Sequence, residues 1–134
     1  MARIADIEGI GPSYAAKLQE CGIKSTDQLL AKGETPGGRK EIAAKAGISE
    51  KQILGWVNRA DLSRIKGVGS EYADLLECAG VDSVPELKNR SAKNLHAKIV
   101  EVNESKRLVR KLPTANQVSD WVGQAKKLPR AVKY

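Results

Sequence analysis

Two short stretches, IEGIG at residues 7–11 and IKGVG at residues 65–69, carry the clearest chemistry in this sequence. In a run of apolar residue, any residue, Gly, apolar residue, Gly, the glycines permit backbone angles closed to other residues and leave peptide amides uncovered by side chains. A helix that begins immediately afterwards has first-turn N–H groups without intrahelical partners, at the positive end of its dipole. Such a turn can hold a phosphate without any cationic side chain.

Catalysis finds no comparable support. His96 is the only histidine, in SAKNLHAKIV, and no Ser, Cys or carboxylate constellation repeats around it, so it reads as a surface or packing residue. An enzyme needs converging acids, a nucleophile with its base, or metal ligands, and none can be assembled here. Cys21 and Cys78 form no CxxC or Cys/His cluster, which argues against a zinc site and a disulfide framework. They read as buried thiols of a reducing cytoplasm. A non-enzymatic protein without catalytic residues is therefore expected.

The elements that position the glycines come in two copies. IEGIGPSYAAKLQECGI (7–23) and IKGVGSEYADLLECAGV (65–81) stand at a constant offset of 58, which pairs Gly9 with Gly67, Gly11 with Gly69, Tyr14 with Tyr72, Leu18 with Leu76, Gly22 with Gly80 and Leu29 with Leu87. Further on, ISEKQILGWV (48–57) matches PTANQVSDWV (113–122) at an offset of 65, so the second copy holds seven extra residues between Lys88 and Pro113.

The punctuation is helical throughout. Ser25 with Gln28, Ser49 with Gln52, Ser83 with Glu86 and Thr114 with Gln117 have capping-box spacing. Gly22, Gly33, Gly47 and Gly80 follow expected helix ends, and Pro12 suits a first helical position. No run of alternating β-branched residues suggests a strand. The chain is 41% hydrophobic with no Phe, so its core is expected to be aliphatic, with Trp56 and Trp121 buried at equivalent points. Tyr14 and Tyr72 read as covers over the turns rather than as platforms for stacking bases. Each copy reads as about five short helices, one before the glycine turn and four after it. No Gly or Pro separates Trp56 from Lys66, so the Trp56 helix is expected to run through NRADLSRI into the second turn, holding the copies as one rigid body.

Charge is distributed unevenly. Residues 1–87 hold 11 basic and 13 acidic side chains, a net of −2, whereas residues 88–134 hold 12 and 3, a net of +9. Glu8 flanks the first turn and Glu71 the second, and a carboxylate beside a phosphate site weakens it. Lys17 and Lys66 offset this in part. Two clusters, Lys106, Arg107, Arg110 and Lys111, then Lys126, Lys127, Arg130 and Lys133, admit two readings: a salt-sensitive phosphate footprint or an ordinary solvated face. The N-terminus has no apolar run for a signal peptide, and nothing later is long enough to span a bilayer. A monomer in the cytoplasm is expected, since no long heptad pattern is present.

With both glycine stretches in view, the sequence resembles the helix-hairpin-helix family. That resemblance implies nonspecific grip on DNA backbone, with Gly9, Gly11, Ser13 and Tyr14, and Gly67, Gly69, Glu71 and Tyr72, at the phosphate-facing turns. It also implies a possible monovalent cation on the backbone carbonyls of Ala5, Ile7 and Ile10 in one copy and Ser63, Ile65 and Val68 in the other; no other cofactor is expected. Residues 4–60 are similar to the small N-terminal domain of archaeal and eukaryotic RecA-type recombinases, a binding module. The whole double unit is most similar to an uncharacterised bacterial domain of unknown function. The resulting expectation is an all-α protein of two repeats, 1–60 and 61–134. It binds nucleic acid, duplex DNA first, through the turns and the basic surface. The alternative is a protein-interaction adaptor in which the turns only pack helices.

Overall fold

The computed structural model describes residues 4, 7, 9–129 and 131–133. Among them are eight α-helices and no strand. In chain order they are α1 (Pro12–Glu20), α2 (Thr26–Gly33), α3 (Pro36–Ala46), α4 (Glu50–Leu62), α5 (Ser70–Cys78), α6 (Val84–Lys88), α7 (Ala92–Lys106) and α8 (Ala115–Lys127). Four helices follow each glycine turn. α4 also leads into the second turn, so it serves both copies.

Capping sets most of the starts. Ser25, Thr35, Ser83, Ser91 and Thr114 each accept a hydrogen bond from the backbone N–H three residues on, and Ser49 Oγ does the same for Gln52. Each such cap contributes about 1 kcal/mol. The reciprocal box is complete at α8, where the Thr114 N–H donates to Gln117 Oε1 at 2.8 Å.

The chain divides into two compact units, each with its own core. Described residues up to Asp61, joined by Ala131, Val132 and Lys133, form the first, and Leu62 to Pro129 form the second. Both cores are aliphatic around one tryptophan, and equivalent residues fill them: Leu18, Ile23 and Leu29 in one, Leu76, Val81 and Leu87 in the other. The C-terminal residues enter the first core. Val132 is 1% exposed, the Lys133 N–H donates to the Glu34 carbonyl at 2.7 Å, and buried Arg39 donates to the carbonyls of Gly33 and Lys133, both at 2.8 Å.

Several expectations need correction. α4 ends at Leu62, and the Ile65 N–H bonds to the Leu62 carbonyl at 3.0 Å, so a tight turn rather than helix precedes Lys66. Gly22, Gly47 and Gly80 do close helix ends with positive φ. Gly33 does not: it is the last residue of α2, and its Cβ would collide with Val57, so its lack of a side chain serves close packing of α2 on α4. Cys78 is exposed and Cys21 half-buried, because each sits at the outward end of its helix while Leu18 and Leu76 take the inward positions.

The seven extra residues are spread along the second copy. α7 is 15 residues against 11 for α3, and α6 is 5 against 8 for α2. The α7–α8 connection, residues 107–114, replaces the three residues that join α3 to α4.

Candidate nucleic-acid interface

Each glycine turn is a pair of successive tight turns. The Ile7 N–H bonds to the Ile4 carbonyl at 3.1 Å and the Ile10 N–H to the Ile7 carbonyl at 3.0 Å. In the second copy Ile65 and Val68 repeat this on Leu62 and Ile65, at 3.0 and 3.1 Å. Gly9 has φ +91° and Gly67 has φ +96°, a region that strains any side chain. A tryptophan indole fills the space in front of each: a Cβ on Gly9 would stand 3.4 Å from Trp56 Nε1, and one on Gly67 3.0 Å from Trp121 Nε1. Tyr14 packs on Trp56 with centroids 5.2 Å apart and Tyr72 on Trp121 at 5.3 Å. Both tyrosines therefore cover the turn from the side of its tryptophan, and Lys17 Nζ stands 5.7 Å from the Tyr14 ring centroid.

Gly11 and Gly69 do something different. They are the N-caps of α1 and α5, with extended backbone and no side-chain cap. The other six helices start on Ser or Thr caps, so these two alone begin with glycine in front of open first-turn amides. Nothing lies within 4 Å of a Cβ built on either glycine. Substitution there would cover the amides without straining the fold. In α1, Pro12 supplies no N–H, which leaves Ser13 and Tyr14 as donors beyond the cap; α5 has Ser70, Glu71 and Tyr72.

The second turn is braced from α8. Gln124 of α8 grips the backbone of Lys66 from both sides, accepting from its N–H at 2.8 Å and donating to its carbonyl at 3.1 Å. Asp120 Oδ2 accepts the other Gln124 amide hydrogen at 2.8 Å. No periodicity in the sequence pointed to Gln124.

The α7–α8 connection folds back onto this turn. Asn103 pairs with Val109 through two bonds, Nδ2 to the carbonyl at 3.2 Å and Oδ1 from the N–H at 3.1 Å. The Tyr72 hydroxyl donates to the Lys111 carbonyl at 2.9 Å, and His96 Nε2 meets the Pro113 carbonyl at 3.1 Å. His96 is thus a packing histidine that ties down the connection. Arg107, Arg110 and Lys111 consequently line one groove of about 350 Å³ with Glu71, Tyr72, Leu108 and Val109. This brings part of the first basic cluster to the second turn, which the sequence had left apart.

The remaining basic residues lie elsewhere. Lys106 is exposed in the last turn of α7, and Lys126 and Lys127 are exposed in the last turn of α8, where cations complement the helix dipole. Lys133 is pinned by its backbone within the first unit. Arg130, Ala5 and Glu8 lie outside the described residues. Of the carbonyls considered for a cation, those of Ile7 and Ile65 each already accept one N–H, leaving a single lone pair for any ion. Among the described residues no group of three or more His, Cys, Asp or Glu is placed to hold a metal, and no helix is long and apolar enough to cross a membrane.

The family described as Domain of unknown function (DUF4332) matches residues 8–128, which takes in the glycines of both turns and both tryptophan helices. The chain belongs to this family. No curated protein and no solved structure matches it. Within this member of DUF4332, the two turns share their backbone and their Trp–Tyr cover, and a cationic groove lies beside the second.

Proposed function

We propose that the protein is a non-enzymatic module that binds nucleic-acid backbone, duplex DNA without sequence preference, and that the second glycine turn carries most of the affinity. The observation that carries this reading is one groove: Arg107, Arg110 and Lys111 line it together with Glu71 and Tyr72 of the helix whose first-turn amides have no side-chain cap. Open amides and a helix dipole orient a phosphate, and guanidinium groups supply charge-assisted bonds to its oxygens. The resemblance of both turns to the helix-hairpin-helix pattern supports the same reading. No base-reading element is evident, so affinity comes from backbone contacts. Glu71 in the groove opposes phosphate binding and keeps that affinity moderate. The cytoplasm is the proposed setting.

The test is fluorescence anisotropy of a labelled duplex of about 20 base pairs across a salt series, where the log-log slope falls by roughly 0.9 for each phosphate neutralised. Arg107→Ala/Arg110→Ala/Lys111→Ala is expected to flatten the slope by roughly 2 to 3 and weaken low-salt binding by about two orders of magnitude. Absence of binding at low salt would overturn the reading. A pull-down whose partners survive nuclease treatment would then support the protein-adaptor alternative.

A further inference from the structure

Among the described residues, the exposed large apolar side chains are Leu108 and Leu112, each 36% exposed, and both stand in the α7–α8 connection. They alternate with the cations of the groove in the run Arg107, Leu108, Val109, Arg110, Lys111, Leu112. The connection does not lack inward anchors: Val109 and Pro113 from the same segment are buried. It is also held at Asn103, Tyr72 and His96 by the bonds already described. Its backbone freedom is therefore lost on folding, and a partner that engages Leu108 and Leu112 meets little further ordering cost. A hydrophobic protein surface would leave three neighbouring cations unmatched. A duplex matches both features, since phosphates meet the cations while an apolar side chain enters a base step that has been opened.

We propose that Leu108 and Leu112 act as an apolar wedge between base pairs, so that the protein prefers duplex DNA whose stacking is already weakened over a continuous, fully paired duplex. This inference rests on the proposed backbone-binding reading and specifies which form of DNA it favours. Opening a step costs a few kcal/mol in a paired duplex and least where a mismatch has already loosened it. The wedge converts that difference into preference, and the cations contribute equally to both substrates.

The experiment compares two labelled duplexes of the same sequence, one fully paired and one with a central mismatch, binding to the full-length chain and to Leu108→Ser/Leu112→Ser. Both leucines are exposed, so the variant keeps its fold, which circular dichroism verifies. The wild-type chain is expected to bind the mismatched duplex roughly tenfold more tightly, and the variant to lose that preference, its affinities for the two duplexes agreeing within about twofold. Equal affinity of the wild-type chain for both duplexes, or a preference that survives in the variant, overturns the wedge and leaves backbone binding intact. Failure to bind either duplex overturns both. Binding to phosphatidylglycerol vesicles that the variant abolishes, with no discrimination between duplexes, would assign the leucines to a lipid surface and also overturn the wedge.

Discussion

Three residues, Gly47 to Ser49, join α3 to α4, and they bury Ile48; eight residues, Arg107 to Thr114, join α7 to α8, and they expose two leucines and three cations. The turns and cores beneath these connections are alike. The turn backbones, the uncapped glycines, the Trp–Tyr pairs and the buried aliphatic positions recur in both units. The largest single difference between the copies is thus one surface segment, which the long α7 and the Asn103 and Tyr72 tethers bring to the second turn. A duplicated core can stay as it is while a connection acquires a new surface, because connections run where the core makes few demands.

The strongest way to break the comparison is at the cores. Trp56→Ala and Trp121→Ala each remove a buried aromatic that packs on a glycine turn, and each is expected to cost about 3 to 5 kcal/mol in urea denaturation. A loss confined to one of them would show that the two turns are not equivalent supports. Next in size is the uncapped glycine. Gly69→Val is expected to weaken duplex binding roughly tenfold, and Gly11→Val by no more than about twofold, since an extra hydrogen bond to a charged group contributes about 1.5 kcal/mol and Arg107, Arg110 and Lys111 stand beside the second turn. Equal losses would distribute function over both turns, and circular dichroism should be unchanged in either variant.

A smaller effect separates the helix ends. α3 stops on Gly47 at φ +69°, whereas α7 stops on Arg107 at φ +48°, the one non-glycine residue with positive φ among those described. Relieving a left-handed residue is expected to stabilise the chain by about 1 kcal/mol in Arg107→Gly, measured by denaturation, and the same variant should lose duplex affinity. Strain retained where a side chain is used is the signature sought; a variant with higher stability and full affinity would remove Arg107 from the interface.

The smallest effect is electrostatic. At the start of α2, Gln28 Oε1 accepts from the Lys24 N–H at 2.7 Å; the equivalent pair before α6 is Asp82 and Glu86. A hydrogen bond with Asp82, then burial, holds the Glu86 carboxyl above its ordinary 4.5. A raised folded pKa gives stability that is fully present below the unfolded value and is lost as pH rises through the folded one. Glu86→Gln should therefore flatten the stability profile just above pH 4.5 and stabilise the neutral-pH chain by a few tenths of a kcal/mol, most of the interaction being screened by solvent.

The fold was readable because its signals are local. Ser25, Ser49, Ser83 and Thr114 declare helix starts within four residues, and the paired spacing of Gly9 with Gly67 and Trp56 with Trp121 declares the repeat. Gly33 misled because a glycine near a helix end carries the same local signature whether it caps the helix or admits a neighbour, and only the position of Val57 decides. The groove was not readable. Its decisive tether joins Tyr72 to Lys111 across 39 residues, a separation at which hydrophobic period and capping pattern carry no information.

Val132 supplies a piece of the first unit's core and the Lys133 backbone bonds to Glu34 and Arg39, so that unit is closed across the whole length of the second. On the ribosome, residues 62–129 emerge with every core residue they need, while the first unit waits for Val132. A chain truncated after residue 129 would keep every core residue of the second unit and leave the first open at Arg39 and Glu34, whose partners lie at Lys133.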